Sequence, residues 1–136
     1  MGEYLAGCVL LGERHHGLIE GIRGLLSTAF ERVFIVADEA SLIDGAGKLQ
    51  PDLVVAELSL AAGDLPGLVG RLRGCAPRAK LLFLSVHEHP TIARTVSAAG
   101  ADGFVGKRSI ATDLLPAVEA VLGGGRYLSR AVSPQP

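Results

Sequence analysis

The chain has 136 residues, of which 49% are hydrophobic and 20% charged, and a formal net charge of −1 at pH 7. This length predicts one domain that buries a core of its own and leaves no room for a second domain. Because the lysines and arginines are spread along the chain, the sequence has no basic patch for nucleic acid or for an anionic membrane.

The two cysteines, Cys8 and Cys75, lie inside apolar segments and follow no spacing typical of a metal or redox site. They are predicted to be small buried residues in a reducing compartment. No apolar run approaches the length needed to span a bilayer. A cytoplasmic protein without a membrane partner is therefore expected.

Five short apolar runs, several of them rich in β-branched residues, predict five strands. In chain order they read YLAGCVLL, RVFIVA, DLVVAEL, AKLLFLS and DGFVG. Because these runs do not alternate with polar residues, both faces of each strand should be covered, as in a parallel sheet between two layers of helices.

Apolar residues at helical spacing predict five helices that alternate with these strands. They cover residues 17–30, 41–49, 65–75, 91–99 and 111–122. The second is the weakest, because Gly45 and Gly47 interrupt it. Asp64 is the expected N-cap of the third helix, which has Pro66 in its first turn, and Gly100 should end the fourth helix.

The alternation of strands and helices predicts a flavodoxin-like, doubly wound α/β domain with a five-stranded parallel sheet of order 2-1-3-4-5. The domain is expected to cover residues 1–123. Residues 124–136 lack apolar periodicity and are predicted to form a linker or C-terminal tail. In such folds ligands bind beyond the carboxyl ends of the strands.

Polar and charged residues gather at that edge of the predicted sheet. They are Glu13 and Arg14 after the first strand, Glu57 closing the third, Ser85 closing the fourth and Lys107 closing the fifth. Because an isolated buried carboxylate is unfavourable, Glu57 at the end of the central strand should have cationic partners, for which Arg14 and Lys107 are the candidates.

The sequence from PDLVVAELSL to AAGADGFVGK, with VLLGERHHGLIEGIRGLL before it and GRYLS after it, resembles the receiver domain of two-component response regulators. The likeness is greatest to the NarL/LuxR type and covers residues 7–129. It implies a non-enzymatic protein of signal transduction. It also implies that Ser85 bonds a phosphoryl group, that Lys107 pairs with that group, and that Phe104 is the aromatic residue whose rotamer reports the switch.

Two positions depart from the family pattern, in which an aspartate at the Glu57 position accepts the phosphoryl group and two acids at the Glu13 and Arg14 positions hold magnesium. Glutamate is one methylene longer, which moves the carboxylate out of line for phosphoryl transfer. Arg14 is a permanent cation that repels a metal. We therefore expect a pseudo-receiver with weak or lost magnesium binding and no other cofactor. In it, the Arg14 guanidinium should form a bidentate pair with the Glu57 carboxylate, while Lys107 binds that carboxylate from the other side.

Two further substitutions lie in the loop after the third strand. Ala61 and Leu65 stand where the family tends to have a proline and a glycine, which predicts an altered loop.

Other interpretations remain open. Glu57 could sit in a satisfied ion pair without a signalling role, or Arg14 could point into solvent. The same fold could bind phosphate without a covalent bond through Ser85 and Lys107. A metal- or small-molecule-sensing module could use the histidines of two loops, which are His15, His16, His87 and His89.

The resemblance also suggests partners. These are another protein or the chain's own output domain, and a homodimer could form through the face of helix 4, strand 5 and helix 5, or through helices 1 and 5. An output DNA-binding domain would join after Gly124 and Gly125. Since none is present in the sequence, no nucleic-acid binding by this chain is expected.

Overall fold

A computed structural model of the protein describes residues 6–129, which form alternating strands and helices. The strands are β1 (Ala6–Gly12), β2 (Phe30–Val36), β3 (Leu53–Glu57), β4 (Lys80–Ser85), β5 (Gly103–Gly106) and β6 (Tyr127–Leu128). The helices are α1 (His16–Leu26), α2 (Glu39–Leu49), α3 (Leu65–Cys75), α4 (Pro90–Ala98) and α5 (Ile110–Leu122). Short 3-10 turns follow β3 (Leu58–Ala61) and β5 (Lys107–Ser109).

The strands form one parallel sheet of order β2-β1-β3-β4-β5-β6. The predicted α/β class, the parallel pairing and the order of the first five strands are confirmed, but the prediction of a five-stranded sheet is wrong. The sixth strand pairs Tyr127 with Gly103 and Leu128 with Phe104. Two residues are too few to give a periodic sequence pattern, and backbone hydrogen bonds to β5 define this strand.

Residues beyond the predicted boundary at residue 123 form hydrogen bonds with β5 and α5. The backbone N–H of Ser129 donates to the Phe104 carbonyl at 2.8 Å, and its hydroxyl donates to the buried carboxylate of Asp113 at 2.8 Å. The folded unit therefore extends at least to Ser129. Residues 130–136 of the predicted tail and the first two residues of the first predicted strand lie outside the described residues.

Helices cover both faces of the sheet, as the continuous apolar strands predict. On β1, Leu10 packs into the layer beneath α2, α3 and α4, whereas Val9 and Leu11 pack into the layer beneath α1 and α5. Adjacent strand residues point to opposite faces, so one short strand contributes to both cores. The carboxyl edge of the sheet is thereby held between two packed layers.

Two helix ends match the sequence signals predicted for them. Asp64 caps α3 by accepting the N–H of Gly67 at 3.0 Å, and Gly100, with φ of +100°, follows α4 in the left-handed region. The first helix ends at Leu26 and not at residue 30, because Phe30 begins β2. No helix within residues 6–129 is both long and apolar enough to cross a bilayer.

A methyl group added at Gly12, the last residue of β1, should destabilise the fold. Its Cβ would lie 2.8 Å from Cδ1 of Leu60 and 3.1 Å from Cδ1 of Leu42, and both leucines are buried. We expect Gly12→Ala to lower the free energy of unfolding by about 1–3 kcal/mol, measured by urea denaturation. Gly17→Ala on α1 is the control, since a Cβ there meets nothing within 4 Å and alanine favours helix. Equal losses in the two variants would contradict the prediction.

Candidate functional site

A buried ion pair between Glu13 and Lys107 crosses the carboxyl edge of the sheet. The Lys107 Nζ lies 2.9 Å from Oε1 and 3.1 Å from Oε2 of Glu13, and the two side chains are 4% and 0% exposed. The contact with Oε2 is a hydrogen bond, whereas that with Oε1 lacks hydrogen-bond geometry. Because β3 and β4 lie between β1 and β5, the pair spans the ends of both central strands.

Three further donors converge on Oε2 of Glu13. They are the backbone N–H of Arg14 at 3.1 Å, the backbone N–H of His15 at 3.0 Å and Nδ1 of His15 at 2.9 Å. Because an ionised carboxylate only accepts hydrogen bonds, the contact with Nδ1 of His15 is a hydrogen bond in the tautomer that carries the ring proton there. Burial by itself raises the pKa of Glu13, but the bonds from His15 and Lys107 outweigh it and hold the pKa below its ordinary value of 4.5.

Glu57 bends back into its own turn. It is 5% exposed, its Oε2 accepts the Ser59 N–H at 3.2 Å, and its Oε1 accepts a hydrogen bond from the Ser59 hydroxyl. Within residues 6–129 it forms no ion pair. The expected fork from Arg14 and the expected contact with Lys107 are therefore not formed, because Lys107 is taken by Glu13 and Ser59 is nearer in sequence to Glu57.

Arg14 contacts the same turn from outside. Its Nη2 donates to the Ser59 carbonyl at 3.1 Å and lies 3.5 Å from the Ser59 hydroxyl oxygen. The pKa of Asp38 is lowered mainly by hydrogen bonds from Ser41, with a smaller contribution from the charge of Arg14. Among the described residues, Arg14 thus reaches Glu57 only through Ser59, which is an arrangement between the expected fork and the open alternative of a solvated arginine.

Ser85 ends β4 at this edge, and Phe104 lies on the adjacent strand β5. Ser85 is buried, and its Oγ accepts the N–H of His87 at 2.9 Å. Phe104 is fully buried in the core layer that contains Ala93 and Val96 of α4. The fold therefore brings Glu13, Ser85 and Lys107 to one edge, as the sequence predicts, with Phe104 pointing inward.

The histidines of the two loops have separate roles. His15 bonds Glu13, Nδ1 of His89 accepts the Thr91 N–H at 3.1 Å, His87 borders a cavity and His16 begins α1. Across the described part of the chain, no group of three or more His, Cys, Asp or Glu side chains is arranged to hold a metal ion.

A cavity of about 430 Å³ opens between the turn after β3 and the start of α4. Glu57, Ser85 and Lys107 border it, and most of the remaining lining is apolar. Neither the cavity nor the role of Ser59 was predicted from the sequence. The available signal for Ser59 was a hydroxyl residue two positions after a strand-ending acid, a spacing typical of side-chain turns.

No family model matches the chain. Individual proteins that are similar to it in sequence or in structure are response regulators. The chain is 30% identical over 130 residues to the nitrate/nitrite response regulator NarL of Escherichia coli K12, covering 93% of this chain and 59% of NarL. It matches the structure of a LuxR-family two-component response regulator from Aurantimonas sp. SI85-9A1 with a TM-score of 0.83 and 27% identity, covering 95% and 93% of the two chains. For the isolated REC domain of apo RcsB from Salmonella enterica serovar Typhimurium, the TM-score is 0.76 and the identity 26%, covering 92% and 94%.

Removing the cation of the buried ion pair should be costly. Lys107→Met leaves Glu13 buried without its main counter-charge, and we expect the free energy of unfolding to fall by about 3–5 kcal/mol near neutral pH. Lys48→Met is the matched control, since Lys48 forms an exposed pair with Asp44 at 3.2 Å and should change stability little. Urea denaturation of both variants measures the difference.

The loss should depend on pH. The pKa of Glu13 is lowered, so its ionised form stabilises the native protein above 4.5, and this contribution is lost as pH falls through the lowered pKa. In Lys107→Met, burial still raises the pKa of Glu13 while fewer hydrogen bonds lower it. Glu13 therefore takes up a proton at a higher pH than in the wild type. The stability gap should therefore narrow in acid, and a gap that is constant with pH would contradict the assignment.

Proposed function

We propose that this chain, whose homologues are NarL/LuxR-type response regulators and whose fold is that of their receiver domains, regulates a partner without phosphoryl transfer to Glu57. It would act in signal transduction by binding another protein or an output domain. The observation that supports this most directly is the engagement of Glu57 by Ser59 while Lys107 is engaged by Glu13.

The position of Glu57 disfavours phosphoryl transfer. Such transfer depends on an acceptor oxygen held in line with the phosphorus. Both oxygens of Glu57 receive hydrogen bonds from Ser59, so the carboxylate is turned toward its own 3-10 turn. Moving it into line would break both bonds.

The residues present do not fit a magnesium ion. Magnesium prefers near-octahedral oxygen ligation. Oε2 of Glu13 already accepts bonds from Lys107, from two backbone N–H groups and from the His15 ring, and the ammonium of Lys107 lies 2.9 Å from Oε1, while Arg14 brings a guanidinium to the neighbouring turn. We therefore expect magnesium to bind weakly or not at all.

The proposed partner surface includes α4, β5 and α5, with the α1 and α5 side as the second choice. Since β6 pairs with β5, the exposed edge of this face belongs to β6, where Leu128 is an exposed apolar residue. A second copy of the chain or an output domain could bind there. The chain spans 59% of the length of NarL, and any nucleic-acid contact is assigned to such an output domain.

Treatment with a phosphoryl donor tests the absence of phosphoryl transfer. We expect no stable covalent adduct after incubation with magnesium and acetyl phosphate, and no change in the amide spectrum with magnesium and beryllofluoride, because the acceptor is out of line. Intact mass and NMR spectra measure these outcomes. A phosphoryl adduct on Glu57 would refute the proposal.

Aspartates at positions 14 and 57 should give the chain a magnesium site. In the double variant Arg14→Asp, Glu57→Asp, one cation is replaced by a ligand and the acceptor is shortened, so saturable magnesium binding should appear in a titration followed by NMR. Arg108→Asp, at an exposed position beside Lys107, makes the same charge change outside the site. If the double variant bound no more magnesium than Arg108→Asp, these two positions would not be what excludes the ion.

A further inference from the structure

We propose that the cavity beside Glu57 binds a compact amphipathic amine, a mainly apolar molecule with one protonated amino group that pairs with the Glu57 carboxylate. This inference rests on the proposed function in one respect, which is that Glu57 is not phosphorylated. It assigns an input ligand to the edge of the sheet where a phosphoryl group is not expected.

The volume and lining of the cavity suit a small organic ligand. Its volume of about 430 Å³ lies within the range of about 300–1,000 Å³ that is usual for small-molecule sites. The apolar part of the lining consists of Leu58, Ala61, Leu65, Pro66, Val86, Ile92 and Val96. Val86 is 55% exposed, so a bound apolar group would remove a large hydrophobic side chain from water.

The balance of charge at the cavity favours a cationic ligand. Glu57 is only 5% exposed and has no cationic partner among residues 6–129. Lys107 also lines the cavity, but its charge is neutralised by Glu13, whose Oε1 lies 2.9 Å from the lysine Nζ. Arg14 binds Ser59 from outside and does not line the cavity. A buried carboxylate without a counter-charge is unfavourable, and a ligand ammonium would remove that penalty.

Glu57 also has hydrogen-bonding capacity left. Each of its oxygens accepts one bond from Ser59, and a carboxylate oxygen can accept two. Beside it, the Ser85 oxygen accepts the His87 N–H, and its hydroxyl hydrogen donates to no acceptor within residues 6–129, so it can donate to a ligand. The polar end of the cavity can thus bind an amino group and an adjacent acceptor, while the apolar walls hold the rest of the molecule.

The cavity also contacts the proposed partner surface. Ile92, Thr95 and Val96 of α4 form one of its walls. Occupation of the cavity would therefore bear directly on the position of α4, which belongs to the surface proposed to bind the partner.

Three probes of matched shape test the inference on the full chain. They are 4-phenylbutylamine, 4-phenyl-1-butanol and 5-phenylpentanoate, which carry a cation, a neutral hydroxyl and an anion on the same phenylbutyl group. Titrations are followed through the methyl resonances of Leu58, Val86 and Ile92. We expect saturable shifts with the amine, an affinity about tenfold or more above that of the alcohol, and no stronger binding of the acid, because a charge-assisted bond adds to the shared apolar contact.

Variants separate the charge from the cavity. Glu57→Gln should bring the affinity for the amine down to that for the alcohol, a loss of about tenfold or more. Glu119→Gln, at an exposed position on α5, makes the same charge change elsewhere and should bind like the wild type. Ile92→Trp should weaken all three probes by filling the cavity, with the amide spectrum checking that this variant is folded.

The inference would be overturned by no saturable shift of the wild type with millimolar amine, by tighter binding of the acid, or by unchanged amine affinity in Glu57→Gln. Its failure is distinguishable from failure of the proposed function. A phosphoryl adduct detected by mass would refute the proposed function without affecting amine binding by the unmodified protein, and absent amine binding would leave the mass result unchanged.

Discussion

The Glu13–Lys107 ion pair is the constraint on which the arrangement of the site depends. It joins the ends of β1 and β5 across the ends of β3 and β4. It also engages Lys107, the buried lysine at this edge. Its partners hold the pKa of Glu13 low, so the carboxylate remains charged and continues to hold Lys107. The Glu57 carboxylate consequently accepts its hydrogen bonds from Ser59, within its own turn.

The length of the Glu57 side chain and the presence of Ser59 act together. A carboxylate at the end of a strand can cap the turn that follows when its side chain reaches the N–H two residues on, and Ser59 adds a hydroxyl donor to that N–H. Arg14 then binds the Ser59 carbonyl, so it stabilises the turn and not the carboxylate itself. The cavity lies beside this turn, and its polar end is therefore built from groups that the ion pair does not use.

Much of the fold follows from the sequence, because continuous apolar strands and amphipathic helices leave few arrangements with both sheet faces covered. The edge residues Glu13, Glu57, Ser85 and Lys107 were placed from strand ends alone, since parallel strands end on the same side. The strand ends do not predict which carboxylate pairs with Lys107. Glu13 and Glu57 compete for this one lysine, and how far each side chain reaches decides which of them binds it. The strand β6 and the cavity arise from backbone pairing and tertiary packing, which leave little local pattern.

The bonds of Ser129 link the end of β6 to both β5 and α5. Its N–H is bound to the Phe104 carbonyl on β5 and its hydroxyl to Asp113 on α5, both at 2.8 Å. A displacement of β5 relative to α5 would strain one of these two short tethers. The end of β6 is thus mechanically coupled, through Ser129, both to the strand that carries Phe104 and to the helix that carries Asp113.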